Sequence, residues 1–428
     1  NTGYMLGDIK LATLSDTDTT NNPELITNGT FDSGVTGWAT SGGSIAWNGS
    51  GDQTATVTSS GSSIWNGATQ TLTGLEVGKT YFLTADIITS SNWGSIGFSA
   101  GPGSGNRYGS YTSWNSGSTF PIKAKAQFTA AATSVTVTID SLNTSNATVT
   151  KVDNISVRLA AVDHSYNDNG LQTFGTVTKT AVATGAELVA YSGFSTSNYL
   201  EHTVSTNYGS PAVFSFMGWQ KTSNTSDYQY MGSLIDGTSQ VVLGMSINAT
   251  GNTSVGKPYF YDSVNSSLDA TIRVDDGQWH FMVGVIDGTS KKLYIDGKLN
   301  ASATVTALAM TNVTKTQVGF YKSYTSSTRQ YTHLGSIALI RTSATAPSAE
   351  QIAKIYNDEK YLFQPNAKAA LYGTSDAVTA LAYDDDTELL HVGTSAGRSV
   401  FQGLNRVDNT TDAVGAAISA SNGFIVED

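Results

Sequence analysis

Apolar and polar residues alternate along most of this chain. Thr54-Ala55-Thr56-Val57-Thr58, Tyr81-Phe82-Leu83-Thr84-Ala85-Asp86-Ile87, Ser134-Val135-Thr136-Val137-Thr138-Ile139 and Asn154-Ile155-Ser156-Val157-Arg158-Leu159 are period-2 runs bounded by Gly, Asn, Asp or Ser. Such runs predict half-buried strands, at spacings that suit an antiparallel sandwich. Further along, Lys292-Leu293-Tyr294-Ile295-Asp296-Gly297-Lys298-Leu299 reads as strand, Asp-Gly turn and strand. A helical period stands out after Pro347: Ser348 as N-cap and Gln351 at N3 form a capping box, with Ile352, Ile355 and Tyr356 on one face. The expected fold is mainly β, with two β-sandwich (jelly-roll) domains in series, one short helix, and a hairpin-rich C-terminal extension.

Breaks in the pattern set the boundaries. Residues 1–22 hold the apolar stretch Tyr4–Leu11 and the polar run Ser15–Asn22, a docking segment and linker. Residues 23–160 are the first sandwich, with Trp38, Trp47, Trp65, Trp93 and Trp114 inside it, and 161–363 the second. In residues 364–428, Ala377–Tyr383 and Leu389–Thr394 flank Asp384-Asp385-Asp386-Thr387 as a hairpin. Leu381, Tyr383, Leu390, Val392, Val400, Phe401 and Leu404 are apolar on a segment marginal for a core of its own. The extension is therefore expected to drive cyclic self-association, a homo-oligomer and, by analogy with fibres, a trimer.

Composition narrows the class. Gly numbers 43 and Pro only 7 in 428 residues, and charged residues are 13% while aromatics reach 10%; a disordered chain would show the reverse balance. Net charge is −11 and no Lys/Arg run occurs, which argues against nucleic acid. No apolar run approaches 18 residues, so no helical membrane span is expected. Cysteine is absent, which removes disulfides, thiolate metal sites and Cys nucleophiles. An extracellular or virion setting suits this composition. The chain opens on Asn rather than Met and reads as a portion of something longer.

Catalytic chemistry is hard to find. Glycanases need two carboxylates flanking one bond, and no Glu-x-Asp-x-x-Glu pattern occurs; Asp275-Asp276 and Asp384–Asp386 fall in expected turns. His164, His202, His280, His333 and His391 are scattered without metal-ligand spacing. No hydrolytic activity is expected. Sugar binding needs aromatic faces with planar polar companions. Trp65, Trp93, Tyr108, Tyr111 and Trp114 sit among Ser, Gly and Asn, with Asn106, Arg107 and Asn115 beside them. These eight residues are the candidate glycan site, expected here rather than in the second sandwich; the other reading of the same aromatics is a contact between subunits. Asp163, Asn167 and Asp168 are a candidate cation loop or a capped turn.

Glu24-Leu25-Ile26-Thr27-Asn28-Gly29-Thr30-Phe31-Asp32 with Gly37-Trp38, then Gly74–Tyr81, then Val152-Asp153-Asn154-Ile155-Ser156-Val157 resemble, in order, the motifs of jelly-roll carbohydrate-binding modules. That resemblance implies a structural calcium between Asp32 and Asp153, where the structural alternative is an Asp153 bonded to turn amides. Asp163-His164-Ser165-Tyr166-Asn167-Asp168-Asn169-Gly170-Leu171, Phe214–Trp219, Asp276-Gly277-Gln278-Trp279-His280, Leu293-Tyr294-Ile295-Asp296-Gly297 and Ser348–Ile352 resemble, in order, the motifs of laminin-G-like, concanavalin A-type sandwiches. Val378–Gly397 resembles one β-propeller blade. The combination, with Gly3–Lys10 ahead of it and Ala382–Val400 behind, resembles appendage proteins of tailed, particularly marine, bacteriophages. It implies a non-enzymatic fibre or decoration protein on the virion surface, attaching to cell-surface polysaccharide. The rivals are a purely structural assembly protein and a secreted bacterial adhesin or glycanase accessory module.

Overall fold

The structure, a computed structural model, describes residues 9–13, 23–60, 64–143, 147–161, 165, 170–202, 206–236, 241–248, 251, 253–322, 330–368, 370–373, 377–403 and 405–428. Asp163, Asn167, Asp168 and Leu404 lie outside them. The chain is mainly β and forms two compact units, one of residues 22–161 and one of residues 162–428 with the opening segment.

The unit of residues 22–161 is a pair of five-stranded antiparallel sheets. One runs in the order Ala39–Ser41, Gly67–Thr73, Ser134–Ser141, Gly94–Ser99, Arg107–Trp114; the other runs Gly43–Trp47, Ala55–Ser59, Val149–Leu159, Thr80–Ser90, Ile122–Thr129. Strand alternation fills the space between them with Phe31, Leu83, Ile96, Phe98, Val137 and Val152, all fully buried. Each such side chain contributes roughly 1.5–3 kcal/mol by leaving water. Val135, Val137 and Ile139 point into this core, so Thr136, Thr138 and Asp140 of the same strand face outward. The edge strand Arg107–Trp114 carries a bulge where its register against Gly94–Ser99 shifts. Gly109 makes the bulge possible: it has φ +66°, and a Cβ there would fall 1.9 Å from the Gln127 carbonyl oxygen.

In the second unit, one sheet runs Thr178–Ala181, Val189–Ser192, Ser336–Ser343, Val213–Lys221, His280–Asp287, Ser290–Ile295, Lys298–Thr304; Ile9–Thr13 of the opening segment pairs with Ser336–Ser343. The facing sheet runs Gln172–Phe174, Tyr199–His202, Val313–Val318, Gln229–Asp236, Val241–Ile247, Pro258–Asp262, Ser266–Asp269. The helix Ala349–Glu359 begins with the capping box, Ser348 accepting from the Gln351 amide while Gln351 reaches back to Ser348. Ile352 and Ile355 pack on the first sheet with Trp219, Phe281 and Phe363. Glu359, buried, accepts from the Trp219 indole N–H at 2.8 Å and pairs with Arg341 at 2.7 Å. Trp219 is sealed.

Beyond the helix the chain builds more than the expected hairpin. Val378–Asp384, Leu389–Thr394, Gly397–Gln402 and Asn405–Asn409 form a four-stranded meander, followed by the two-stranded Ile418–Ser421 and Phe424–Glu427. Val392, Val400 and Phe401, expected at an interface between chains, are buried within this one.

Candidate functional site

The outward face of the Ser134–Ser141 sheet carries a polar centre ringed by aromatics. Arg107 swings over it. Its guanidinium pairs with the Asp140 carboxylate, donates to the Thr138 hydroxyl, and donates to Ser95 Oγ at 2.9 Å. The same guanidinium stands 5.0 Å from the Trp65 ring centroid and 5.9 Å from that of Tyr111. Such stacking holds a cation flat against π-faces. Asp140 is almost wholly buried, and desolvation pushes its carboxyl up to about 6 against the pull of Arg107. Two groups of the pair are left over: Arg107 Nε and Asp140 Oδ1 are buried without hydrogen-bond partners. A buried donor and a buried acceptor left without partners are costly for folding alone.

The aromatics are anchored through their backbones. The Trp65 amide donates to the Ser141 carbonyl at 2.8 Å, and the Leu142 amide donates to the Trp93 carbonyl at 3.0 Å, so both tryptophans hang from the end of one strand. Gly105 lies against Trp65, where a Cβ would be 2.6 Å from the indole nitrogen. Trp93 is 51% exposed and Tyr111 47%. Tyr108 and Asn106 are exposed on the same loop and edge strand.

Two expected members are elsewhere. Trp114 is 2% exposed and belongs to the core: it pairs with Gly94, whose missing Cβ leaves room for the indole, at 2.8 Å from where that carbon would be. Its polar surroundings in sequence misled because the buried position depends on a glycine across the ladder. Asn115 shapes a turn, its side-chain oxygen accepting from the Gly117 amide at 2.7 Å while its own amide donates to Ser118 Oγ at 3.0 Å. Asp140, Thr138 and Ser95 were missed. The alternation of Ser134–Ile139, carried one residue further, places Asp140 on the outward face.

Asp32 and Asp153 belong to a different region of this unit. Asp153 pairs across the ladder with Asp86, and Asn154 Nδ2 donates to both, at 3.0 Å and 3.2 Å. Burial, then the Asp86 and Asp32 charges, raise the Asp153 carboxyl, and Asp153 Oδ1 is buried without a partner. Asp32 accepts from Thr30 Oγ1 at 2.8 Å, and Lys123 pairs with Asp86 at 2.6 Å. Among the described residues no group of three or more His, Cys, Asp or Glu is arranged to hold a metal.

Asp276 and Asp384 are committed to turns. Asp276 accepts from the Gln278 amide at 2.8 Å, and His280 is held between Asp296 at 2.8 Å and Asp276 at 3.1 Å. Asp384 accepts from the Asp386 and Gly423 amides. Tyr228, Tyr230, Tyr259, Tyr321 and Tyr331 pack on one another, with Tyr259 donating to the Tyr230 hydroxyl at 2.8 Å.

Residues 194–353 match the Laminin_G_3 family, described as the concanavalin A-like lectin/glucanases superfamily. The chain has no match among curated proteins. Among solved structures it is similar to the botulinum neurotoxin serotype D binding domain, at 14% identity over 58% of this chain and 60% of that one, with a TM-score of 0.36. It is also similar to a heptameric SAP-like pentraxin from Limulus polyphemus (11% identity, 40% and 81% covered, TM-score 0.34). A third is domain 4 of the arabinanase AbnA from Geobacillus stearothermophilus, in complex with arabinotriose (15% identity, 46% and 92% covered, TM-score 0.33). The chain thus spans about three fifths of the neurotoxin binding domain.

Proposed function

We propose that this chain is a non-enzymatic glycan-binding protein whose binding face is the outward side of the sheet built on Ser134–Ser141. The observation that carries the reading is the Arg107–Asp140 pair with an unpartnered donor and acceptor, flanked by the rings of Trp65 and Tyr111. A sugar ring offers an apolar C–H face to stack on an aromatic and hydroxyls that both donate and accept. A small shift of Arg107 would present both orphan groups to neighbouring hydroxyls. Because Arg107 is neutralised by Asp140 and the chain carries −11 overall, the fitting ligand is a neutral glycan rather than a polyanion. The match of residues 194–353 to a superfamily of lectins and glucanases supports a carbohydrate setting. Single stacking contacts are weak, about 1 kcal/mol, so attachment to a cell surface needs many copies. A virion fibre or decoration protein supplies them, and that is the role we assign. A structural calcium at Asp32 and Asp153 belongs to the same reading; addition of calcium raises the melting temperature of the chain, and Asp153→Asn removes the rise.

A glycan array probed with the full chain tests this function. Retention on neutral glycans, lost in Arg107→Met with an unchanged circular dichroism spectrum, supports it. Retention on acidic glycans alone, or none on any glycan, overturns it.

A further inference from the structure

The sheet that carries the binding face is almost free of charge. Its five strands, Ala39–Ser41, Gly67–Thr73, Ser134–Ser141, Gly94–Ser99 and Arg107–Trp114, hold two charged residues, Arg107 and Asp140, and these pair with each other. Their side chains are 8% and 1% exposed. Gly67 and Ser95 stand across the ladder from Asp140, and neither of their strands holds an ionisable group. The edge strand adds Tyr108 and Tyr111. Ile122–Thr129 of the other sheet, bonded through the Lys125 backbone to Thr112 of the edge strand, adds Lys125 and Lys123, the latter paired with Asp86. The guanidinium is also used unevenly. Arg107 Nη1 donates to Thr138, and Nη2 donates to Asp140 Oδ2 and Ser95, while Nε, on the same edge as Nη2, has no partner.

We propose that one proton selects the ligand of this face: an ionised Asp140 keeps it neutral and suited to uncharged sugars, and a protonated Asp140 releases the Nε–Nη2 edge of Arg107 to a carboxylated sugar. The inference rests on the glycan-binding reading given above. Protonation leaves a buried guanidinium without its counter-ion, which is strongly unfavourable. A sugar carboxylate accepting from Nε and Nη2 side by side restores the balance and fills the donor that Asp140 leaves unused. The rings of Trp65 and Tyr111 hold the guanidinium while its partner is exchanged. The two carboxylates separate in pH because one is buried and the other arrives from water. Desolvation raises Asp140 to about 6 against the pull of Arg107, while a solvated carboxylic acid titrates near ~4. At pH 5 the protein group is therefore neutral and the ligand still charged. The competent, protonated fraction is roughly 3% at pH 7.5 and 90% at pH 5, so affinity for acidic glycans rises about 30-fold between them.

A glycan array carrying uronic and sialic acid glycans beside neutral ones, probed with the full chain at pH 7.5 and pH 5, tests the proposal. Acidic glycans should gain about 30-fold at pH 5, and Arg107→Met should remove the gain. Asp140→Asn, which carries no proton to lose, should bind acidic glycans at pH 7.5 as the wild type does at pH 5, with an unchanged circular dichroism spectrum. Should that variant unfold, the wild-type pH series against Arg107→Met decides. A gain that survives in Arg107→Met reports the general loss of negative charge in acid and overturns the proposal, as does acidic binding that is equal at the two pH values. Retention on neutral glycans at pH 7.5 with no acidic gain at pH 5 overturns the proton switch and leaves the glycan-binding reading standing. No retention on any glycan at either pH overturns both.

Discussion

Both sandwiches bury a cation against a carboxylate, and they finish the job differently. In the second unit Lys291 pairs with Asp262 at 2.6 Å and also donates to the Ser266 carbonyl at 2.8 Å, over the Phe260 ring. Asp262 Oδ1 takes the Val264 and Asn265 amides and Asn265 Nδ2. Both groups are satisfied, and the pair welds the Pro258–Asp262 strand to the Ser290–Ile295 strand of the opposite sheet. In the first unit Arg107 and Asp140 leave Nε and Oδ1 unpartnered, with aromatic faces beside them. A satisfied pair is a structural weld, while a half-satisfied one retains capacity for a ligand. Tryptophan repeats the contrast: Tyr356 of the helix and Phe363 of the turn that follows it seal Trp219 at centroid distances of 5.6 Å and 4.3 Å, while Trp93 is 51% exposed.

The contrast breaks most visibly in stability. Lys291→Met leaves Asp262 buried without its cation and should cost about 3–5 kcal/mol in urea unfolding. Trp114→Ala, which empties a core site, should cost a similar ~3–5 kcal/mol, whereas Trp65→Ala should cost well under half as much. Equal losses for Trp65 and Trp114 would erase the distinction between an open face and a core.

A smaller effect is an opposed response to acid. His333 is fully buried and desolvation lowers its imidazole to about 4, below the ordinary 6.5. The unfolded chain therefore takes the proton first. Stability from this group is whole above pH 6.5 and is lost as pH falls toward 4, by roughly 3 kcal/mol. Asp140 runs the other way: raised to about 6, it favours the folded state fully below about pH 4, and that contribution is lost as pH rises through 6. Region-resolved hydrogen exchange between pH 7 and 5 should show the first unit gaining protection relative to the second. A parallel loss in both would contradict the assignment of either group.

Smallest is the rim. Trp93→Ala should weaken glycan binding only a few-fold, since its exposed ring is held through the backbone and lies outside the Arg107 stack. A complete loss would move the centre of the site to Trp93.

Strand, turn and capping signals made the fold legible because they are local. The capping box at Ser348 and Gln351 appears as read, and so does the helix face of Ile352 and Ile355. The site was only half legible. Trp65, Arg107 and Tyr111 announce themselves as aromatics and a cation on polar sequence, and they do meet. Asp140 lies 33 residues from Arg107, and only the pairing of three strands brings them together. Trp114 was misjudged for the same reason, because its burial depends on Gly94 in a neighbouring strand. The C-terminal extension shows the limit of reading apolarity without topology: alternation alone marks Val400 and Leu381 alike, and the hairpin laid over one side of the meander separates them.

The most direct test of the central claim is where the glycan sits. Hydrogen exchange of the full chain, with and without a saturating neutral oligosaccharide chosen from the array, reads this without mutation. Protection should concentrate in residues 93–114 and 134–143, the strands and loops that carry Trp93, Arg107, Tyr111 and Asp140. Protection confined to residues 194–353, around the packed tyrosines Tyr228 to Tyr331, would place the glycan on the other sandwich and contradict the account.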